Sequence, residues 1–284
     1  MILVTGATGK LGQLVLEKLL KKVPAGQLVA AVRDPAKAAG LAARGVQVRR
    51  ADYSQPDTLT AAFAGVQKVL LISSSEVGQR VAQHRAVVEA ARKAGVRLLA
   101  YTSILRADTS RLALAAEHKA TEELIRASGL PFVFLRNGWY LENYTEHLAP
   151  ALAQGAIVGS SGEGRISAAA RADYADAAVE VLTGSGHDHQ VYELGGDVAF
   201  TQAELATELS RQVGRKIVYQ NLPPEQYRGI LTGAGIPAPF AEVLVDSDLG
   251  ASHDALKDTS GVLGRLIGHP TTTLAQGIAA ALPR

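Results

Sequence analysis

Through its first half the chain alternates short apolar runs with stretches whose apolar positions recur every three or four residues. The runs fall at 2–5, 28–32, 46–50, 69–73, 97–102 and 132–136, and the helical-period stretches at 10–22, 35–43, 57–63, 78–94 and 117–128. Such alternation is the signature of βαβ units that build a parallel sheet covered on both faces. Gly95 in KAGV and Gly129 in ASGL stand where a helix ends in a left-handed cap. The pattern predicts an α/β fold with a doubly wound parallel sheet of the Rossmann type.

After Tyr140 the rhythm breaks. The stretch GSSGEGR at 159–165 reads as a loop or hairpin turn, a helix begins at Arg171, and VYELGG at 191–196 reads as another strand. From Phe200 the pattern is mostly helical, with a proline-rich connection in NLPPEQY at 221–227. A chain of 284 residues buries roughly three quarters of its unfolded surface, enough for one large core and a smaller lobe. The expected division is a dinucleotide-binding domain at 1–140 and 171–196, with a smaller, substrate-side α/β lobe at 141–170 and 197–284.

Composition narrows the chemistry. With 47% hydrophobic and 20% charged residues the chain reads as an ordinary globular protein. The longest apolar stretches, such as KVLLI, fall far short of the ~20 residues that span a bilayer, so no membrane role is expected. The N-terminus begins directly with strand-like residues and shows no basic region followed by a long apolar segment, which points to the cytoplasm. The absence of cysteine removes disulfides, iron–sulfur clusters, thiolate zinc sites and cysteine nucleophiles together. The seven histidines show no metal-ligand spacing, and no metal is expected. A net charge of +2, with lysines and arginines scattered along helices, argues against nucleic acid as a partner.

The sharpest motif is VTGATGKLG, in which Gly6, Gly9 and Gly12 follow the first strand and open the first helix. In that context the first glycine permits a tight turn, the second lets backbone approach a pyrophosphate, and the third lets helix and strand touch. The helix N-terminus then offers N–H donors and a positive dipole to the phosphates. Sites that prefer NAD usually end the second strand with a carboxylate that accepts from the ribose 2′-hydroxyl. Here Arg33 stands there, a guanidinium suited to a 2′-phosphate, which favours NADP(H). Asp34 precedes Pro35 and is expected to cap the following helix rather than face the phosphate. Asp52 and Tyr53 end the third strand, either at the adenine edge or in a solvated turn. Ser73, Ser74 and Ser75 end the fourth, as ribose and nicotinamide contacts or as a plain polar loop.

GATGKLG, AVRDPAKA, LLISSSEVGQR, YTSILRADTS, LRNGWYLENY and LIGHPTTTL together resemble the type 2 NAD(P)H:quinone oxidoreductases, NmrA-like members of the atypical short-chain dehydrogenase/reductases. The likeness runs nearly end to end, and SSSEVGQR and RNGWYLENY are its most specific parts. It implies an extended-type Rossmann domain with a small C-terminal lobe, NADP(H) as cofactor and no flavin. It also implies that the cofactor is held by Gly6, Ala7, Thr8, Gly9, Lys10 and Leu11, by Arg33, and by Ser73, Ser74 and Ser75. The segment Asn137, Gly138, Trp139, Tyr140, Leu141 and Glu142 would line the nicotinamide end. Trp139, the single tryptophan, is alternatively a packing anchor between lobes.

Ordinary short-chain dehydrogenases place a serine after the fifth strand and a Tyr-x-x-x-Lys on the next helix. Ser103 fits the serine and Lys119 the lysine, with Glu123 one turn on, but Ala115 occupies the tyrosine position. Hydride addition to a simple ketone makes an alkoxide too basic to leave unprotonated in a dry site. Reduction of a quinone makes a phenolate-like anion, comparable to tyrosine with its pKa of ~10, which tolerates the missing acid. The expected activity is therefore hydride transfer from NADPH to a small-molecule quinone. The alternatives are another conjugated acceptor, such as a triphenylmethane dye, or a non-catalytic sensor of the NADP(H) ratio. Candidate donors toward the developing oxyanion are Tyr140, Tyr144, His84 and Gln79. His84 reads alternatively as a surface or cap histidine, His118 is a weaker candidate, and Arg171 faces the crevice or makes a helix-end salt bridge.

Overall fold

The computed structural model describes residues 1–282, which divide into two compact units. In chain order the strands are β1 (Ile2–Val4), β2 (Leu28–Val32), β3 (Gln47–Arg50), β4 (Lys68–Leu71), β5 (Leu98–Ile104), β6 (Phe132–Asn137), β7 (Ala156–Gly159), β8 (Gln190–Leu194) and β9 (Val218–Asn221). All but β7 and β9 form one sheet, in the order β3-β2-β1-β4-β5-β6-β8. The first six strands pair in parallel, as their apolar runs require. Every residue of β2, β5 and β6 is buried, because helices cover both faces.

Leu3 sits in register between Val29 on β2 and Val69 on β4, and all three are fully buried. Phe63, Tyr101 and Phe134 fill the same core. On the other face the helix Lys10–Leu19 packs on the helix Arg171–Thr183, where Lys18 pairs with Asp176 at 2.7 Å and Lys22 pairs with Glu180. The chain therefore winds outward from β1 in one direction through β2 and β3, and in the other through β4, β5 and β6. The reversal between β1 and β4 is the switch point at whose carboxyl edge doubly wound sheets bind ligands.

Several boundaries differ from the sequence reading. Strand β5 extends through Ile104, so Ser103 lies inside the strand rather than after it. The third strand begins at Gln47, the helix expected from 78 begins at Arg80, and β8 ends at Leu194. Asp34 caps as expected, its carboxylate accepting from the Ala36 N–H at 3.1 Å ahead of Pro35.

The second unit comprises Thr109–Ala115, Gly138–Ala170 and the chain from Glu193. The sequence pattern places Thr109–Ala115 with the sheet. It goes with the second unit because the Ala113 N–H donates to Asp246 at 2.9 Å and Leu112 packs against Gly250. Strands β7 and β9 form a separate parallel pair, with Ile157 opposite Tyr219, that the sequence reading missed. Strand β7 is only four residues long and adjoins the glycine-rich stretch read as a turn, while three of the four residues of β9 are exposed, so neither shows a period. The helices Gln202–Val213 and Leu274–Ala281 start at full capping boxes on Thr201 and Thr273.

A Cβ at Gly12 would lie 2.4 Å from the Gly6 carbonyl oxygen and 2.9 Å from the Ala7 Cα, both backbone atoms that cannot rotate away. Gly12→Ala is expected to cost about 1–3 kcal/mol through forced separation of helix and strand, read as a lowered urea midpoint. An unchanged midpoint would refute that close approach.

Candidate active site

At the switch point the chain leaves β1 through Gly6, whose φ of 57° favours glycine, and turns into the helix at Gly9. The Gly9 N–H donates to the Gly6 carbonyl at 2.9 Å and closes the turn. Gly9 is the helix N-cap, no side chain caps this end, and no acidic residue lies in the first turn. An N-terminus kept clear of carboxylates and caps suits an anionic ligand. Ala7 and Leu11 turn their side chains into the core, whereas Lys10 is exposed.

A crevice of about 340 Å³ opens here. It brings together Gly6, Thr8 and Gly9 from the turn, Arg33 from the end of β2, and Ser73, Ser74 and Ser75 from the end of β4. Asp52 and Tyr53 line it as well, and Tyr53 is more than a turn residue. Its hydroxyl lies 2.6 Å from Thr5 Oγ1 and 3.0 Å from the Ile72 carbonyl, and burial pushes its pKa up. The sequence reading missed Lys37, Glu76 and Gln83, which also line the crevice. Lys37 carried a signal, since it stands one turn after Arg33 in the basic segment VRDPAK.

The serine loop is held from behind by β5 and two helices. The Ser73 N–H donates to Thr102 Oγ1 at 2.9 Å, and the Ser74 N–H to His84 Nε2 at 3.0 Å. Arg80 Nε donates to the Ser74 carbonyl at 2.8 Å, and the Gly78 N–H to Glu117 at 3.0 Å. With Nε2 accepting, His84 carries its proton on Nδ1 and donates it to Thr121 Oγ1 at 3.0 Å. The expected surface or cap histidine is instead fully buried, with both ring nitrogens committed to positioning the loop. Burial, helped by the Arg80 guanidinium, pushes its pKa down to about 3. His118 is buried beside the Tyr101 hydroxyl at 2.8 Å, and burial lowers its pKa too. Gln79 lies exposed at the helix N-cap position without a side-chain cap bond.

The short-chain dehydrogenase acid–base set is dismantled. Ser103 donates its hydroxyl to Glu122 at 2.7 Å, and Glu122 is gripped bidentately by the buried Arg136 at 2.9 and 2.7 Å, which also reaches Asp108 at 2.9 Å. Lys119 and Glu123 are exposed on the outer face of their helix, while Ala115 is buried. Counting along the chain aligned Ser103 and Lys119 with catalytic positions, but the strand extension and the helix phase turn them to other uses.

Asn137 ends β6 with its side chain buried, and its Oδ1 meets no hydrogen-bond partner. In the second unit, Gly138 donates its N–H to the Leu194 carbonyl at 2.8 Å and Leu141 to Ala169 at 2.8 Å. Trp139 and Tyr140 are half-buried in the same segment, and Glu142 opens the short helix that follows. Tyr144 stands edge-on to Phe200 at 5.7 Å, and burial ahead of the nearby Asp248 carboxylate pushes its pKa well up. Asp248 accepts from the Ser160 N–H at 2.7 Å and from Gln202 at 3.1 Å, and burial raises it to about 6. Arg171 opens its helix half-buried.

A doubly wound sheet with a glycine turn, an uncapped helix end and an arginine at the second strand defines a dinucleotide-binding protein. The comparisons agree: a family model described as NAD(P)H-binding matches residues 6–185. Quinone oxidoreductase 2 of Escherichia coli is 53% identical over 278 residues, 98% of this chain and 97% of that one. The crystal structure of the Escherichia coli NADPH-dependent quinone oxidoreductase complexed with NADPH superposes with a TM-score of 0.97, at 53% identity and 99% coverage of both chains. Triphenylmethane reductase of a Citrobacter species, solved with NADP(H), gives a TM-score of 0.96 at 43% identity, covering 99% of this chain and 100% of that one. The chain belongs to the NAD(P)H-binding, NmrA-like family of the type 2 quinone oxidoreductases.

The residues present fit that cofactor. Glycines 9 and 12 leave a backbone cradle where a Cβ would meet the Gly6 carbonyl at 3.2 and 2.4 Å. Gln83 Oε1, which lines the crevice, is buried without a partner, and a dinucleotide carries amino, hydroxyl and carboxamide donors to satisfy it. Among the described residues no group of acidic and histidine side chains gathers as a metal site.

The depressed His84 pKa has a pH consequence. The unfolded chain takes up the proton below about 6.5 and the folded chain resists it, so stability present above that pH is lost as pH falls toward 3. His84 alone accounts for about 2 kcal/mol between pH 7 and pH 5. Asp248 acts in the opposite sense over part of that range, so the measurement is a comparison with His84→Gln. The stability difference between wild type and variant is expected to narrow by about 2 kcal/mol on going from pH 7 to pH 5 in urea melts. A constant difference would mean that the ring is not buried as a neutral group.

Proposed function

We infer that the protein is a cytoplasmic NADPH-dependent quinone reductase that passes two electrons to a small-molecule quinone and yields the hydroquinone. The observation that carries this reading is the pairing of a complete dinucleotide crevice with a dismantled acid–base set. Ser103 is spent on Glu122, Lys119 faces outward and Ala115 replaces the tyrosine. Such a site suits an acceptor whose reduced form is a stable anion. When bound, the cofactor supplies the hydride from nicotinamide C4.

The protein's own contribution is placement. Thr8 and the turn N–H groups take the pyrophosphate, Arg33 and Lys37 the 2′-phosphate, and Ser73 to Ser75 the ribose side. The resemblance assigns the nicotinamide end to the segment Asn137 to Glu142. Alignment within roughly 3–3.5 Å of the acceptor atom is worth several orders of magnitude in rate without any proton transfer. With His84 committed to the loop, Tyr140, Tyr144 and Gln79 are the remaining candidate donors toward the oxyanion. Neither nucleic acid nor membrane enters the reading, and among the described residues no helix is long and apolar enough to cross a membrane.

The likeness to a triphenylmethane reductase at 43% identity favours one second reading, in which the acceptor is a conjugated dye cation. The same site logic serves both, because neither product needs an enzymatic acid.

NADPH consumption against a panel of benzoquinones, naphthoquinones and triphenylmethane dyes, with NADH alongside, is expected to be fastest with a quinone and NADPH. No turnover on any quinone would sink the proposal. Arg33→Ala is expected to raise the apparent NADPH constant at least tenfold, the order expected for loss of a charged hydrogen bond, with little change for NADH. Equal effects on both cofactors would remove the 2′-phosphate assignment.

A further inference from the structure

Arg33 does not stand alone at the mouth of the crevice. Its guanidinium donates to Glu76 Oε1 at 3.0 Å, and the other carboxylate oxygen of Glu76 accepts from Gln83 Nε2 at 2.7 Å. The Glu76 N–H is tied to Ser74 Oγ at 3.2 Å, so carboxylate and backbone are both restrained. Gln83 is buried, one residue before His84 on the helix that holds the serine loop. Glu76 is thus held by two further hydrogen bonds with its side chain 48% exposed, while the Arg33 side chain is 74% exposed. All three residues line the crevice, and Gln83 Oε1 is buried there without a partner.

NAD-type sites carry a carboxylate at the end of the second strand to accept from the ribose 2′-hydroxyl, and this chain has Arg33 in that place. Asp34 also lines the crevice, but its carboxylate is engaged in capping the short helix. We propose that Glu76, delivered from the loop after β4 and steadied by Gln83, is the missing carboxylate. It is a specificity-determining residue that competes with the 2′-phosphate for Arg33 and accepts from the 2′-hydroxyl when the phosphate is absent. Resting on the assignment of NADP(H) to this crevice, the proposal makes the protein a dual-cofactor binder with a tempered preference for the phosphorylated form. A phosphate entering the site must draw Arg33 away from Glu76 and approach the Glu76 carboxylate. An unphosphorylated ribose meets a ready acceptor.

The test is calorimetric titration of the purified full chain with NADP⁺ and with NAD⁺, no quinone present. Glu76→Gln keeps the shape and the Gln83 contact and removes the charge. It is expected to tighten NADP⁺ about two- to fivefold, the range of one largely exposed ion pair, and to weaken NAD⁺ by a similar factor. In an Arg33→Ala background the gain for NADP⁺ is expected to shrink, because the group competed for is gone. An unchanged ratio of the two dissociation constants, or a gain for NADP⁺ equal in both backgrounds, would overturn the proposal. A protein that binds both nucleotides as stated but reduces no quinone would sink the proposed activity and leave this inference standing. The converse result separates the two in the other direction.

Discussion

The contact on which the molecule turns is the approach of the first helix to the first strand at Gly12. With no Cβ there, the helix starts directly above the Gly6 carbonyl, and its uncapped N-terminus points its dipole at the carboxyl edge of the sheet. Separation by even the width of a methyl group would move the turn N–H groups away from where a pyrophosphate must lie. The switch point and the crevice lie beside that approach, since β1 is the interior strand from which the chain winds both ways.

A second constraint is the cost of leaving polar groups unpaired in a dry interior. Behind the serine loop, Thr102, His84, Arg80 and Glu117 each satisfy one backbone group of residues 73–78. The loop is thus a fixed platform rather than a surface strap, and the acidity of His84 is a by-product of that burial. Gln83 and Asn137 break the same rule, each with a buried oxygen that finds no protein partner. Gln83 lines the crevice from the first turn of its helix, and Asn137 ends β6.

The family's departure from ordinary short-chain dehydrogenases is also an electrostatic matter. Ser103 is drawn into a buried network with Glu122 and Arg136, which binds β5, β6 and a helix together. Such a network is costly to break at any one member. Once the acceptor can hold negative charge on its own, the residues that would protonate it are released to serve packing and cohesion.

Much of this was legible along the chain. Apolar runs too uniform for a half-exposed strand require a sheet covered on both faces, and three glycines after the first run require a ligand or helix in close contact. An arginine at the end of the second run puts a guanidinium at the crevice mouth. These features are local in sequence, because strand burial, turn geometry and helix caps act over a few residues. The partners of those residues were decided only in three dimensions. That His84 supports Ser74, that Ser103 serves Glu122, that Glu76 and Gln83 share Arg33, and that β7 pairs with β9 all join positions whose spacing carries no period. Hydrogen bonds between side chains depend on which helix face turns inward and on where a strand stops, and a shift of one or two residues, as at β5, reassigns them entirely.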